Sequence, residues 1–254
     1  MSNANWLSVS LNVLLMVFLC VASPAVRHKD EAKPLYRQTG SEATITGVVS
    51  FFGNKPQRKR IDTSADPLCE QLSGGLYVED VLVRNGKLAN AVVYLKGEPI
   101  DSFSFEAPTD TPALTHTKCR YEPRVMGIRE GQALTIVSAD QTHHNTHPNP
   151  RINDEWNRTQ APGAEPFMVR FKHAELFIPF KDNQHPWERA YVGVFSHPFF
   201  AVSQRNGSYR ISGVPPGRYT LVAWHERFGE QSTEITITSN EMKKLDLSFE
   251  SSAK

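Results

Sequence analysis

The residue types best suited to chemistry in this 254-residue chain are its histidines, nine in number and unevenly spread. His143, His144 and His147 crowd one polar stretch directly after the run ALTIVSAD, and His185 sits in a second, KDNQHPWERA, directly after AELFIPF. Neutral imidazole is the commonest metal ligand among side chains. Two histidine-bearing loops about 40 residues apart could therefore meet at one pole of a fold and hold an ion. Solvated loop histidines are the plain alternative. Outside the N-terminal apolar run the chain has two cysteines, Cys69 and Cys119. In an oxidising compartment such a pair bonds. The disulfide would close a loop of about 50 residues, worth roughly 4 kcal/mol in the chain-entropy model, and would leave neither thiol free for a metal.

Other chemistries find little support. Trp224-His225-Glu226 has no second histidine four residues beyond His225, so the zinc-helix protease motif is absent. There is no Gly-x-Ser-x-Gly elbow, P-loop or dinucleotide fingerprint, and carboxylate pairs say nothing without geometry. A non-enzymatic chain is expected. With 28 basic against 27 acidic residues and no basic stripe, nucleic acid is not an expected partner. Trp156, Trp187 and Trp224 could stack on sugars, which would make a polysaccharide the partner, or could simply fill a core. Asn157-Arg-Thr and Asn206-Gly-Ser match glycosylation acceptors, and neither is assigned a role.

The elements that must position these residues read as strands. ATITGVVSFFG alternates β-branched and aromatic residues before a stop at Gly53. Gly75 to Gly97 reads as two strands about Asn85-Gly86, a dipeptide suited to a type I′ hairpin, and the signal repeats at Asn206-Gly207. Pro215-Pro216-Gly217 marks another turn. No segment carries a long apolar 3.6 period, so the expected class is all-β, in Greek-key β-sandwich form. The stretches from Pro99 to Thr117 and from Asn149 to Glu165 read as long surface loops. The uncharged run from Trp6 to Val21, followed by small residues, has the pattern of a secretory signal peptide. An uncleaved anchor is the alternative, and the only route to a membrane. A periplasmic or secreted location follows.

An ordered series of motifs runs through this strand pattern. Cys119-x-Tyr121-x-Pro123-Arg124, Gly131-Gln132 before a strand, Asp140-x-x-x-His144-Asn145-x-His147, and His185-Pro186-Trp187 followed by Ala190-Tyr191 appear in sequence. Together, from Cys119 to Val202, they resemble the plastocyanin-like cupredoxins of exported bacterial proteins. That resemblance implies one ligand histidine at His144. In the second loop it implies a Cys, a His and a Met at three-residue steps, which fall on Asp182, His185 and Glu188. Both histidines are kept, and the thiolate and thioether are replaced by carboxylates. Blue copper needs the sulfur ligands, whereas hard oxygen donors favour Cu(II) or Zn(II). Two readings stay open: a remodelled site of His144, His185, Asp182 and Glu188 for copper or zinc, with His143 and His147 as spare donors, or a decayed site on a scaffold that holds no cofactor.

A second resemblance flanks the first. ITGVVSFFGNKP with LANAVVYLKG, and NGSYRISGVPPGRYTLVAWHERFG with STEITIT, resemble the two halves of a carboxypeptidase regulatory-like, or transthyretin-like, sandwich, a non-catalytic module. The expected organisation is a signal peptide over 1–25, a flexible leader over 26–42 and the first part of the regulatory-like sandwich over 43–100. A cupredoxin-like domain over 101–198 follows, inserted in or packed with that sandwich, whose second part spans 199–250. The expected role is an extracytoplasmic binding or scaffold protein that engages another exported protein or a polysaccharide. A copper- or zinc-binding or electron-transfer-related protein is the first alternative, and a carbohydrate-binding module the second.

Overall fold

In the strand Ala43–Phe52 every second residue from Ala43 to Phe51 is buried, as its alternating sequence dictates. The computed structural model to which this strand belongs describes residues 32–251, and the signal-peptide reading of 1–25 lies outside them. Ala43–Phe52 pairs with Ser208–Val214 and Lys87–Leu88 antiparallel, and with Met242–Lys244 and Leu247–Glu250 parallel. A second sheet runs in the order Phe200–Val202, Val92–Lys96, Gly217–His225, Gly229–Ile237. Ile45, Val49 and Ile211 of one sheet share a core with Val93, Leu95 and Leu221 of the other. This sandwich is built from both ends of the chain.

The middle of the chain forms two more sheets. One orders Arg158–Gln160, His144–Pro148, Glu175–Lys181, Arg189–Phe195 and Val125–Arg129, and the other Phe167–Arg170, Ala133–Ser138, Ala113–His116 and Tyr121–Glu122. Leu114, Leu134 and Ile136 pack between them against Ile178, Phe180 and Val192. The architecture is an all-β pair of sandwiches.

The two sandwiches meet through strands that are apolar on both faces. Val93 and Leu95 point into the first core, so Val92 and Tyr94 point out of it, where they join Val222, Val125 and Phe195 in a further apolar cluster. Phe177 supports this junction from an irregular stretch of pairing between Glu175 and Ile178. Its backbone is left-handed, at φ 58°, which is costly for an aromatic residue. The turn lays its ring flat on Trp224, with centroids 3.7 Å apart.

Three local readings need correction. The Asn85-Gly86 turn forms with both residues at positive φ, but its arms are only Val83–Arg84 and Lys87–Leu88, and most of the preceding stretch is irregular. At Asn206-Gly207 only the glycine has positive φ, and the flanking strands join different sheets, so this is a corner and not a ladder hairpin. Among the residues read as a flexible leader, Tyr36 is docked: its amide donates to the Ser104 carbonyl and its ring contacts Phe103 and Phe105.

Between the first and second strands of the first sandwich lies a segment with the one α-helix of the described residues, α1 (Pro67–Ser73). Asp66 caps it, accepting from the Leu68 and Cys69 amides, with Pro67 in the first turn and Gly74 closing it in a left-handed conformation. Cys69 on α1 is bonded to Cys119 of the second sandwich.

Candidate metal centre

The loop between strands Glu175–Lys181 and Arg189–Phe195 curls on itself. The Asp182 carboxylate accepts from the Gln184 amide at 2.7 Å and the His185 amide at 3.0 Å, and the Glu188 amide donates to the His185 carbonyl. This curl turns Asp182, His185 and Glu188 toward one point. His144 opens its strand beside them, stacked on His116, the last residue of Ala113–His116. All five residues are buried.

The donor atoms converge. His144 Nδ1 lies 3.1 Å from Asp182 Oδ2 and 3.1 Å from Glu188 Oε1. His185 Nδ1 lies 3.2 Å from that Asp182 oxygen and 3.5 Å from that Glu188 oxygen. His116 Nδ1 is 2.8 Å from Glu188 Oε2 and 4.0 Å from Asp182 Oδ2. Each imidazole is anchored from outside by its other nitrogen: His144 Nε2 to Asp140 at 3.1 Å, His185 Nε2 to Asp66 at 3.0 Å, and His116 Nε2 to the Thr146 hydroxyl at 2.9 Å. Three Nδ1 atoms thus face inward and three Nε2 atoms face outer partners, the arrangement by which protein groups orient ligand histidines. Glu188 Oε1 is buried, faces this centre and has no hydrogen-bond partner.

Charge is unevenly held. Burial alone would lower the His144 imidazole, but hydrogen bonds with Asp140 and Asp182 and the Glu188 carboxylate close by outweigh it and push its pKa up to about 11. His185 is raised against its own burial by Asp182 and Asp66. Asp182 lies well below the usual carboxylate range: burial opposes this, and hydrogen bonds from His144, His185 and two backbone amides win. Asp140 and Asp66 are lowered in the same way, each against its own burial.

The residues present fit a hard or borderline divalent ion and do not fit blue copper. A tetrahedral ion with bonds of about 2.0–2.2 Å sets its ligand atoms roughly 3.3–3.6 Å apart. The four imidazole–carboxylate separations among His144, His185, Asp182 and Glu188 are 3.1 to 3.5 Å. Blue copper fails for want of a thiolate, because both described cysteines are in the disulfide. Carboxylates and imidazoles gathered in this way can hold a cation.

Of the four residues singled out from the sequence, the structure groups His144, Asp182 and Glu188 with His116 and sets His185 beside them, in contact with Asp182 and Asp66. It does not gather the two spare donors. His143 is exposed, and His147 points outward to Asn183 and Glu155. His116 takes their place, from a stretch read as loop that is a strand at its end; its signal is the alternation of buried Leu114 and His116 in ALTH. Asp66 was also missed, although Asp-Pro followed by Gly-Gly seven residues later is a legible helix frame. Trp156, Trp187 and Trp224 are all half-buried and packed into apolar clusters, so none forms an exposed stacking platform.

A model of the carboxypeptidase regulatory-like domain matches residues 181–250. Among solved structures, the copper-containing nitrite reductase of Thermus scotoductus SA-01 is 12% identical, with 40% of this chain and 27% of that one covered and a TM-score of 0.32. This chain therefore spans about a quarter of that reductase. A purple cupredoxin from Nitrosopumilus maritimus is 17% identical over 33% of this chain and 99% of its own, at a TM-score of 0.29. Amicyanin from Paracoccus versutus is 19% identical over 35% and 86%, at 0.31. No curated protein matches the chain. Both resemblances read from the sequence have a counterpart among known proteins.

Proposed function

We propose that this chain is an exported, non-catalytic β scaffold built around one buried divalent cation, with Zn(II) and Cu(II) as the ions its donors suit. His144, His185 and His116 would supply neutral Nδ1 atoms, and Asp182 and Glu188 the anionic oxygens. The observation that carries the reading is the shared orientation of the three imidazoles, each anchored through Nε2 and turned through Nδ1 toward the buried Glu188 carboxylate, His144 and His185 toward Oε1 and His116 toward Oε2. A closed donor shell is the mark of a structural site, since catalytic sites keep a position open. When bound, the ion would join two loops of the second sandwich and add its binding free energy to folding.

The test is the metal content of tag-free protein prepared from the periplasm, set beside a His144→Ala/His185→Ala variant and a His116→Ala variant. Near one equivalent of zinc or copper in the wild type, lost in the double variant, supports the reading. A wild type that is metal-free and also refuses added Zn(II) and Cu(II) sinks it.

A further inference from the structure

The second sandwich does not complete this site alone. His185 Nε2 is met by Asp66, which comes from the segment between the first two strands of the other sandwich. Asp66 divides its carboxylate between two tasks. Oδ1 caps α1 through the Leu68 amide, while Oδ2 takes the His185 contact and a hydrogen bond from the Thr142 hydroxyl at 2.7 Å. The helix is held down beside the site by two further means. Cys69 is covalently bonded to Cys119, whose amide donates to Asp140, the outer partner of His144. Ile61, Leu72 and Leu76 pack with the disulfide against Trp187, whose indole nitrogen donates to the Cys119 carbonyl. Under this cover the His185 side chain is 4% exposed. The same segment thus supplies the outer partner of His185, is bonded to the residue whose amide holds the outer partner of His144, and roofs the loop that carries three donors.

We propose that Asp66 is a positioning residue of the metal centre, and that the segment 61–76, latched by Asp66 and riveted by the Cys69–Cys119 bond, is the closure through which the ion must enter and leave. This rests on the metal reading above. The carboxylate fixes the His185 tautomer, with the proton on Nε2 and the lone pair on Nδ1, and strengthens Nδ1 as a donor. Removing the latch leaves the inner donors in place and opens the path past His185.

The experiment loads full-length protein with Zn(II) and follows its release to a chromogenic chelator, with Co(II)-loaded samples read by their visible ligand-field bands. Asp66→Ala and Cys69→Ser/Cys119→Ser are expected to bind one equivalent still and to release it at least tenfold faster, in line with the 10–100-fold losses typical of outer-shell changes. Asp66→Asn is the discriminating variant. Asparagine's single amide oxygen still caps the helix, but its amino group then faces His185 Nε2 and cannot accept from it. It should keep the α1 cap, yet shift the Co(II) bands and speed release, because the charged acceptor behind His185 is gone. Release within twofold of wild type in all three variants, at unchanged stoichiometry, overturns the closure and leaves the metal site standing. A wild type that binds neither Zn(II) nor Co(II) overturns the metal reading, and this proposal with it.

Discussion

Replacing Asp182 by asparagine is the sharpest probe of how the buried centre is held. Its two oxygens accept from three backbone amides, of Asn145, Gln184 and His185, and face the Nδ1 atoms of both His144 and His185. Whichever way an asparagine is turned, its amino group meets at least one backbone N–H, so a buried donor opposes a buried donor. That mismatch costs about 1–3 kcal/mol, and removing one partner of a buried charge pair costs about 3–5 kcal/mol. The two penalties overlap, so a loss of about 3–5 kcal/mol is expected in the metal-free protein, a large part of the roughly 5–15 kcal/mol that holds a domain together. Urea unfolding at pH 7 in the presence of EDTA measures it. The sign of the pH dependence follows from the direction of the shift. Because the folded pKa of Asp182 is depressed, its contribution is present above the ordinary value of 3.8 and is lost as pH falls below it. The gap between wild type and Asp182→Asn should therefore narrow as the solution is made more acid than pH 4. Zinc at 100 times its dissociation constant should add about 2.7 kcal/mol to the wild type and nothing comparable to the variant. A variant that loses less than about 1 kcal/mol in EDTA, or gains as much from zinc as the wild type, would refute the account of Asp182 as the hub of the site.

Two further outcomes follow from buried histidines. Burial, with Arg129 near His197 and with Arg124 and Arg227 near His225, holds both imidazoles down at about 4. They stabilise the fold fully above the ordinary 6.5 and lose that contribution as pH falls toward 4, about 3 kcal/mol apiece. Urea midpoints measured in EDTA should drop steadily between pH 6.5 and 4.5, and a flat profile there would contradict the burial of these rings. At the metal centre the His144 proton, held to about 11, must leave before Nδ1 can bind an ion. Calorimetry of Zn(II) binding at pH 7 in buffers of different ionisation enthalpy should show at least one proton released per ion, and none released would mean that His144 is not a ligand.

The fold was legible wherever alternation was strong, and the site wherever spacing was local. ATITGVVSFF shows its face by period two, and AVVYLKG, apolar without a break, announces a strand buried on both sides, here by two different sandwiches. Asp182, His185 and Glu188 could be taken together because steps of three residues around a tight loop turn them to one side. His116 and Asp66 could not, since their contacts with Glu188 and His185 span 72 and 119 residues of chain. No local pattern encodes a contact that exists only after four sheets have packed. His143 and His147 misled for the converse reason. Neighbours in sequence at the start of a strand point to opposite faces, so His144 entering the centre sends His143 out.

The closed centre makes sense as a place where charge has to be balanced. Asp140, Asp182 and Glu188 are buried, and an unpaired carboxylate in such surroundings costs several kcal/mol. His144, held up to about 11, carries a proton and a positive charge against them, and His185 is raised against its own burial by two of the same carboxylates, Asp182 and Glu188. A divalent ion with the imidazoles neutral would place its charge closer to the Glu188 oxygen that has no hydrogen bond. The protein could therefore fold first around protons and take the ion afterwards in their place, provided the segment carrying Asp66 can lift. The first sandwich, which owns that segment, would then act on the site in the second by controlling when the exchange occurs.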